Sequence, residues 1–164
     1  MGKILAIDPG NEESAYAVYK DGKFVEYAKI KNETMLHIVI QFDADYIFIE
    51  RIECFGMAVG KSVFETCIFI GRLIERVIDR TNSKVFTIGR RNVKMHMCGS
   101  MKAKDANIRQ SVMDRFGSTR ENAIGTKKNQ GPLYGASKDI WSAMAIAITA
   151  NESSEGLIEY AKPR

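Results

Sequence analysis

Residues 4–10 read ILAIDPG, an apolar run of strand-forming residues that ends in the carboxylate of Asp8 and a Pro-Gly turn. Residues 46–50 read YIFIE and repeat the pattern, with Glu50 as the terminal acid. Ligands of open α/β sheets bind at the carboxyl ends of the strands, so both acids are expected at a functional sheet edge. The two stretches predict an α/β protein whose site is built on its sheet.

Three predicted strands come first, strands and helices alternate in the middle of the chain, and helices follow at its end. Strands are predicted at residues 3–8, 16–19, 23–30, 46–50 and 85–88, with an Asp21-Gly22 hairpin turn between the second and third. Helices are predicted at residues 33–41, 62–80, 102–116 and 139–150, with a short basic helix or turn at 90–97. The Gly-, Lys- and Asn-rich stretch 117–137 is expected to be a mobile loop, and the polar tail 151–164 is expected to be frayed. One α/β domain over residues 1–164 is predicted.

Length and composition limit the class of protein. With 164 residues, of which 45% are hydrophobic and 27% charged, the chain suits a folded domain and excludes a disordered or fibrous protein. Its apolar runs are shorter than a bilayer requires. The three cysteines match no zinc-binding spacing, so they are expected to be reduced and buried in an intracellular protein.

Positive charge is concentrated in one third of the chain. Residues 84–138 hold 12 Lys and Arg against 3 acids, whereas the rest of the chain holds 12 basic and 17 acidic residues. A concentrated basic surface suits a polyanion, because each neutralised phosphate releases condensed counterions. The alternative is a solvated face that binds nothing.

A third acid, Asp139, heads the last predicted helix. Hard divalent cations take oxygen ligands, and two such ions about 4 Å apart can activate a water and stabilise a leaving alkoxide. Each acid taken alone could simply end a strand or cap a helix. Three acids in this order, together with a basic segment, favour a metal-dependent site that acts on a polyanion. His37 and His96 have no partners at ligand spacing and are interpreted as non-catalytic.

These motifs resemble those of RuvC-type Holliday junction resolvases of the ribonuclease H-like superfamily, particularly the short versions carried by phages. ILAIDPG and IFIE match the two acid-bearing strands of that family. Residues 64–72 (FETCIFIGR) are similar to its long helix, residues 90–99 (RRNVKMHMCG) to its R-x-V-K…G motif, and residues 139–149 (DIWSAMAIAIT) to its final helix. The resemblance covers residues 1 to about 150.

The resemblance implies a fold, an activity and a site. The fold would be α/β and ribonuclease H-like, with a central mixed five-stranded sheet flanked by helices. The activity would be Mg²⁺-dependent cleavage of four-way DNA junctions by symmetric paired nicks, with Mn²⁺ able to replace Mg²⁺ and two ions bound. Asp8, Glu50 and Asp139 would be the catalytic residues and metal ligands. The protein would be a homodimer through helix 62–80 in the cytoplasm of a bacterium or phage host.

Nine residues would contact DNA according to the same resemblance. Phe55, with Met57, would stack on bases at the crossover or wedge them open, unless Phe55 folds back onto the core. Basic side chains would hold phosphates without reading sequence: Arg90, Arg91, Lys94, Lys102 and Lys104. Lys127 and Lys128 would either touch DNA or keep their loop solvated.

The chain departs from the family pattern at Ser142, where a second acid is usual on the last helix. A hydroxyl is a poorer metal ligand than a carboxylate. Either Asp139 suffices, or another acid such as Asp105 or Glu53 helps, or the second metal is weakly bound. Alternative functions are a broader nuclease of forked DNA and a junction-binding protein with little cleavage. An actin-like ATPase lobe is disfavoured, because such enzymes need two lobes.

Overall fold

The computed structural model describes residues 2–161 of the chain. The strands are β1 (Ile4–Asp8), β2 (Glu13–Lys20), β3 (Lys23–Lys31), β4 (Tyr46–Arg51), β5 (Lys84–Gly89) and β6 (Leu157–Tyr160). The helices are α1 (Asn32–Ile38), α2 (Lys61–Arg80), α3 (Arg90–Cys98), α4 (Asp105–Arg115), α5 (Arg120–Ala123) and α6 (Lys138–Glu152). Within residues 2–161, no helix combines the length and the apolar character that crossing a bilayer demands.

All six strands form one mixed sheet in the order β3-β2-β1-β4-β5-β6. β4 lies parallel to β1 and β5, whereas β2, β3 and β6 pair antiparallel with their neighbours. The predicted α/β class, a mixed sheet flanked by helices, is confirmed. The predicted number of five strands is wrong, because β6 is a sixth.

The sixth strand comes from the segment 151–164 that the sequence predicts to be frayed. Helix α6 continues to Glu152, and after a turn at Gly156, where φ is 72°, the chain pairs with β5. Leu157 packs against the core, and the Gly156 carbonyl accepts a 2.8 Å hydrogen bond from Arg51 Nη1. These long-range contacts outweigh the weak strand signal of a short, mostly polar segment. Residues 162–164 of the predicted tail lie outside the described residues.

The two faces of the sheet carry side chains of different size. On the face covered by α6, the fully buried residues Ala6, Ala15 and Ala17 leave room for the helix to approach closely. Helix α6 is accordingly buried at every position over residues 140–150 except Ser142, which is half-buried. The opposite face carries larger residues such as Leu5, which share a core with α1 and α2.

An irregularity in the β2–β3 hairpin decides which face each β3 side chain occupies. Tyr19 pairs with Phe24 near the turn, but Val18 then pairs with Glu26 rather than with Val25, the residue before Glu26. The extra residue is a β-bulge, which bends the strand and shifts the pairing by one position. Because side chains alternate along a strand, all β3 side chains beyond the bulge change face.

Helix α2 carries apolar residues on two sides. Phe69, Leu73 and Val77 are buried against the sheet, whereas Phe64 and Ile68 are 59% and 65% exposed. A helix with one buried face needs only one apolar stripe, so the second stripe is surplus to the folding of a single chain.

The predicted burial of the cysteines is wrong. All three thiols are free; Cys67 is exposed, and Cys54 and Cys98 are half-buried. In α2 the core-facing position is Thr66, so the next residue, Cys67, points away from the sheet.

The segment 117–137 holds more local structure than the predicted mobile loop. It contains the short helix α5, and Gly125 pairs with Gln130 to close a tight turn. Leu133 is fully buried, and the Tyr27 hydroxyl donates a 2.7 Å hydrogen bond to the Tyr134 carbonyl. Burial of Leu133 and Ala123 in the core anchors a mostly polar segment to the domain.

Phe48 provides a test of the sheet core. Its ring is 1% exposed and stacks on Phe86 at a centroid distance of 5.1 Å. Phe48→Ala is expected to lower the free energy of unfolding by about 3–5 kcal/mol, because it removes a buried aromatic ring and leaves a cavity. Urea unfolding measures the change. The control, Met57→Ala at a 70% exposed position, is expected to change stability by less than about 0.5 kcal/mol.

Candidate active site

Asp8 and Glu50 lie on adjacent strands at the carboxyl end of the sheet. The parallel register of β1 and β4 pairs the residues immediately before them. Side chains alternate along a strand, so both acids share the face of Ala6 and Phe48, which pack in the core with α6. The sheet therefore directs two carboxylates toward α6, the helix that carries Asp139 near its start.

Burial and mutual repulsion make these two carboxyls weak acids. Burial raises the pKa of Asp8 from 3.8 to about 6, and the charge of Asp139 adds to the rise. Burial raises the pKa of Glu50 from 4.5 to about 7, and the charge of Asp8 adds to that rise. The Arg90 guanidinium opposes both shifts by favouring the ionised forms. A pair of this kind favours an added cation, because the cation removes the repulsion.

Arg90 joins Glu50 to a further acid. At the start of α3, its Nη1 lies 3.2 Å from Glu50 Oε2 and its Nη2 lies 2.8 Å from Asp105 Oδ1. Glu50 is nearly buried, with a side chain 13% exposed, whereas Asp105 is 87% exposed. The guanidinium predicted to hold a phosphate is thus engaged by two carboxylates. It also ties the starts of α3 and α4 to the end of β4.

Asp139 is paired with Lys29 of strand β3. Lys29 Nζ lies 2.7 Å from Asp139 Oδ2 and 3.5 Å from Glu13 Oε2. Beyond the bulge, Lys29 pairs with Ala15, and Ala15 pairs with Asp8, so the three stand in one row across the sheet. The small Ala15 side chain lets the long Lys29 side chain reach over it toward α6. The hydrogen bond and charge of Asp139 raise the pKa of Lys29.

A polar network fixes the turn that follows Asp8. The Ser14 hydroxyl donates a 2.6 Å hydrogen bond to Asn32 Oδ1, and Asn32 Nδ2 donates a 2.9 Å bond to the Gly10 carbonyl. The Gly10 amide donates in turn to Ser14 Oγ at 3.3 Å. Satisfied networks of partly buried polar groups hold one backbone conformation. The backbone next to Asp8 is therefore tied to the start of α1.

Ser142 and Glu53 have different relations to the site. The hydroxyl of Ser142, one turn after Asp139, lowers the pKa of the Asp8 carboxyl, which partly offsets the burial effect. Glu53 lies against Gly89 and accepts a 3.0 Å hydrogen bond from Arg51. Its position at the base of the loop after β4 makes it a support of that loop rather than a member of the acid group.

Two clefts meet at Asp139. A cleft of about 320 Å³ is lined by Asp8, Asp139, Lys29 and the residues of the β1–β2 turn. A larger cleft of about 610 Å³ lies between the starts of α4 and α6 and includes Asp105, Arg109, Lys138 and Ser142 in its lining. Asp139 thus borders open space on both sides and Asp8 borders the smaller, mostly polar cleft, an arrangement suited to a charged, extended substrate.

The loop after β4 presents exposed apolar side chains. Phe55 is 51% exposed and Met57 is 70% exposed, so the alternative in which Phe55 folds into the core is wrong. Phe55 has φ of 48°, in the left-handed region. The Arg91 guanidinium lies over its ring, 3.2 Å from the centroid. Two side chains predicted to contact DNA are therefore held together by a cation–π contact.

The predicted lysines lie on three segments of the chain: α3, the connection between α3 and α4, and the turn closed by Gly125 and Gln130. Lys104 immediately precedes Asp105, and its amide donates a 2.9 Å hydrogen bond to Asn107 Oδ1. Lys102 is exposed in the same connection between α3 and α4, and Lys94 is half-buried one turn into α3. Lys127 and Lys128 are exposed at the tip of the turn closed by Gly125 and Gln130. Their predicted contacts with DNA stay predictions.

The acids fit a metal held by few protein ligands. Among residues 2–161, no three His, Cys, Asp or Glu side chains converge closely enough to hold a metal ion between them. Mg²⁺ keeps several waters and commonly takes only one or two carboxylates together with substrate phosphate oxygens. The adjacent, mutually repelling carboxylates Asp8 and Glu50 match that requirement. Residues 2–161 therefore do not form a site in which protein ligands alone surround a metal ion.

Comparison with known structures identifies the fold. No family model matches the sequence, and no curated protein matches it. A structure of Thermus thermophilus RuvC aligns with a TM-score of 0.66 over 96% of this chain and 99% of that chain, at 15% identity. The chain has a ribonuclease H-like fold similar to that of RuvC. A structure of T. thermophilus RuvC in complex with a Holliday junction substrate aligns with the same TM-score over 91% of this chain and 92% of that chain, also at 15% identity.

The sequence pattern does not identify two basic residues of the candidate site, and it leaves Asp105 and Glu53 as alternative helper acids. Lys29 reaches Asp139 only because of the bulge in the hairpin, which has no clear sequence signal. Arg109, which lies over the Trp141 ring, lines the larger cleft through the packing of α4 on α6. Asp105 was one of two possible helper acids, and its position next to Lys104 at a helix start could have favoured it over Glu53.

The raised pKa values predict how stability depends on pH without metal. The folded protein binds protons at Asp8 and Glu50 more tightly than the unfolded chain, so their burial costs stability as pH rises from about 4 through about 6 to 7. In EDTA, Tm is expected to fall between about pH 4 and pH 7. Asp8→Asn removes one of these charges and is expected to stabilise the protein by about 2 kcal/mol at the upper end of that range.

Thermal melts of wild type and Asp8→Asn across this pH range measure the difference. Asp43→Asn is the control, because Asp43 is exposed in the turn before β4, where its φ of 47° suits Asn. The control is expected to follow the wild-type curve. Parallel curves for wild type and Asp8→Asn would contradict the assigned cost of ionising Asp8.

Proposed function

We propose that the chain is a metal-dependent DNA endonuclease that resolves four-way junctions by symmetric paired nicks. The observation that carries the proposal is the placement of Asp8 and Glu50 side by side at a sheet edge, with Asp139 on the helix that covers it. The RuvC-like fold supports the same activity, since one of the similar structures is RuvC in complex with a Holliday junction substrate.

The acids would hold Mg²⁺, with Mn²⁺ as a substitute. Asp8 and Glu50 would bind a first ion, and Asp8 with Asp139 a second. When bound, the metal would supply Lewis-acid activation of water and stabilisation of the leaving oxygen. Arg90 fixes the orientation of Glu50 through a 3.2 Å ion pair. Ser142 favours the ionised form of Asp8, the form a cation requires.

Basic and aromatic residues around the acids would bind the DNA. Arg91, Lys94, Lys102 and Lys104 belong to α3 and the connection to α4, next to the acid group, and would contact backbone phosphates. Lys127 and Lys128 would add phosphate contacts from their turn. Phe55 and Met57 would contact unstacked bases at the crossover, where an exposed ring has a π-face to stack on.

A homodimer through α2 would match the two-fold symmetry of a four-way junction. Phe64 and Ile68 form an exposed apolar stripe on the outer side of this helix, and Gly71, one turn further, leaves open space at its Cα. Such a stripe is costly in water and is covered when two copies pack around a two-fold axis. Two identical sites would then face two symmetric strands.

The test of the function is a cleavage assay on a synthetic four-way junction, a Y-fork and a linear duplex, each with Mg²⁺, Mn²⁺ or EDTA. Paired symmetric nicks in the junction alone, dependent on metal, are the expected result. Equal cleavage of the fork would indicate a broader branched-DNA nuclease. Tight junction binding without nicks in either metal would contradict the enzyme and indicate a junction-binding protein.

Asp8→Asn separates catalysis from binding. The substitution is expected to abolish nicking, because it removes a metal ligand, and to keep or tighten junction binding, because it removes a charge that repels phosphate. Nicking gels and binding titrations in Ca²⁺ or EDTA give the two readouts. Asp43→Asn is the matched control and should nick at the wild-type rate. Loss of binding together with loss of nicking in a folded Asp8→Asn protein would contradict the assignment.

Ile68→Asp tests the dimer. A carboxylate in the centre of the apolar stripe is expected to shift the protein from dimer to monomer in sedimentation, since an unpaired charge would be buried between the helices. The position is exposed in a single chain, so Tm should change little. Val25→Asp, at a 60% exposed position on edge strand β3, is the control and should stay dimeric. A dimeric Ile68→Asp protein would exclude this face of α2.

A further inference from the structure

Lys29 stands at the more exposed end of the candidate active site. Its Nζ contacts Asp139 Oδ2 at 2.7 Å and Glu13 Oε2 at 3.5 Å. All three side chains line the 320 Å³ cleft together with Asp8. A positive charge of the protein therefore already compensates the acid that, with Asp8, would hold a second metal ion.

The two ends of the site differ in their charge balance. At the buried end, the single guanidinium of Arg90 contacts Glu50 and the 87% exposed Asp105 and lies near Asp8, so the ionised forms of the three acids leave an excess of two negative charges. That excess matches one divalent cation. A site's affinity for such an ion depends on the number of charged ligands it offers.

At the exposed end the balance falls short of a second divalent ion. Asp139 and Glu13 share the ammonium of Lys29, which leaves an excess of one negative charge. Ser142 contributes a hydroxyl that is directed to Asp8 and brings no charge. Removing the positive charge of Lys29 would restore an excess of two, as at the buried end.

We infer that Lys29 limits the DNA-free protein to one bound divalent ion by holding Asp139 in an ion pair. The inference rests on the proposed function, because it concerns the ions bound by the same carboxylates. Asp8 and Glu50 bind the first ion, and a second ion binds only after the Lys29 ammonium leaves Asp139. The step exchanges one cation for another and breaks no covalent bond. Lys29 is thus a positioning residue for Asp139.

The location of Lys29 allows this exchange without unfolding. β3 is an edge strand, and the Lys29 side chain is 39% exposed. Its flexible four-carbon stem crosses the small side chain of Ala15 and can swing toward solvent or toward an arriving phosphate. Arg90 differs, since its guanidinium is 25% exposed and bridges two acids on separate elements.

Counting bound Mn²⁺ tests the inference without relying on activity. DNA-free protein is titrated with Mn²⁺ at about pH 8, where the acids are ionised, and free Mn²⁺ is measured by electron paramagnetic resonance. Wild type is expected to bind one ion per chain. Lys29→Met, which keeps an unbranched side chain but removes the ammonium, is expected to bind two, with the affinity for the second raised about 10-fold, the scale on which residues next to the ligands act. Lys29→Gln should behave like Lys29→Met.

The matched control is Lys31→Met, two residues along the same edge strand and also exposed. It removes the same charge from the same strand, outside the cleft that Lys29 lines, and is expected to bind one ion like wild type. Two ions in wild type, one ion in the Lys29 variants, or two ions in Lys31→Met would each overturn the inference. Tm values of the variants in EDTA within a few degrees of wild type establish that they are folded.

One further variant separates the inference from the proposed function. Asp8→Asn is expected to lose the first ion. If wild type and Asp8→Asn bind the same number of Mn²⁺ ions, the proposed metal site is wrong, and the inference about Lys29 is wrong with it. If Asp8→Asn loses the ion but the Lys29 variants bind no second ion, only the inference about Lys29 fails.

Discussion

Repulsion among carboxylates gathered at one end of a sheet is the constraint on which the rest of this structure depends. Asp8 and Glu50 are held on adjacent strands by backbone hydrogen bonds, so they cannot move apart to relieve their repulsion. Burial makes the repulsion stronger, because water screens it less. Two basic side chains offset part of the negative charge: Arg90 at the buried end and Lys29 at the exposed end. Each brings an element, α3 or β3, into fixed relation with the acids.

The packing of α6 explains why the acids are buried at all. Alanines on β1 and β2 let this helix lie close to the sheet, and the buried part of the helix is also rich in alanine. Close packing excludes water from the strand ends below the helix start, where Asp139 and Ser142 face Asp8. The same small side chains leave space for the long Lys29 side chain to cross Ala15. Core packing and site electrostatics thus depend on the same choice of small residues.

The strand ends were predictable from sequence, and the charges around them were only partly so. An apolar run that ends in an acid places Asp8 and Glu50 at the sheet edge by local pattern alone. The position of Lys29 depends on a one-residue bulge between Val18 and Tyr19, which changes the face of the sheet on which the following β3 side chains lie. The amino-acid composition does not indicate this bulge. The sixth strand was missed because its pairing with β5 is long-range. Arg90 has two carboxylate partners on different elements, a pairing that spacing along the chain does not indicate.

The two ends of the site differ in their exposure and in how firmly their acids are held. The Glu50 side chain is 13% exposed and pinned by a guanidinium, whereas the Asp139 side chain is 45% exposed and held by a flexible ammonium. The carboxylate at the first end is therefore fixed in place, and the carboxylate at the second end has room to rearrange. The larger cleft also opens beside Asp139, with Lys138 and Arg109 in its lining. Under the proposed function, a phosphate backbone entering there would meet basic side chains first and would bring its negative charge to the end where Lys29 contacts Asp139. The buried end would then supply rigidity, and the exposed end would supply the exchange of charges that binding a polyanion requires.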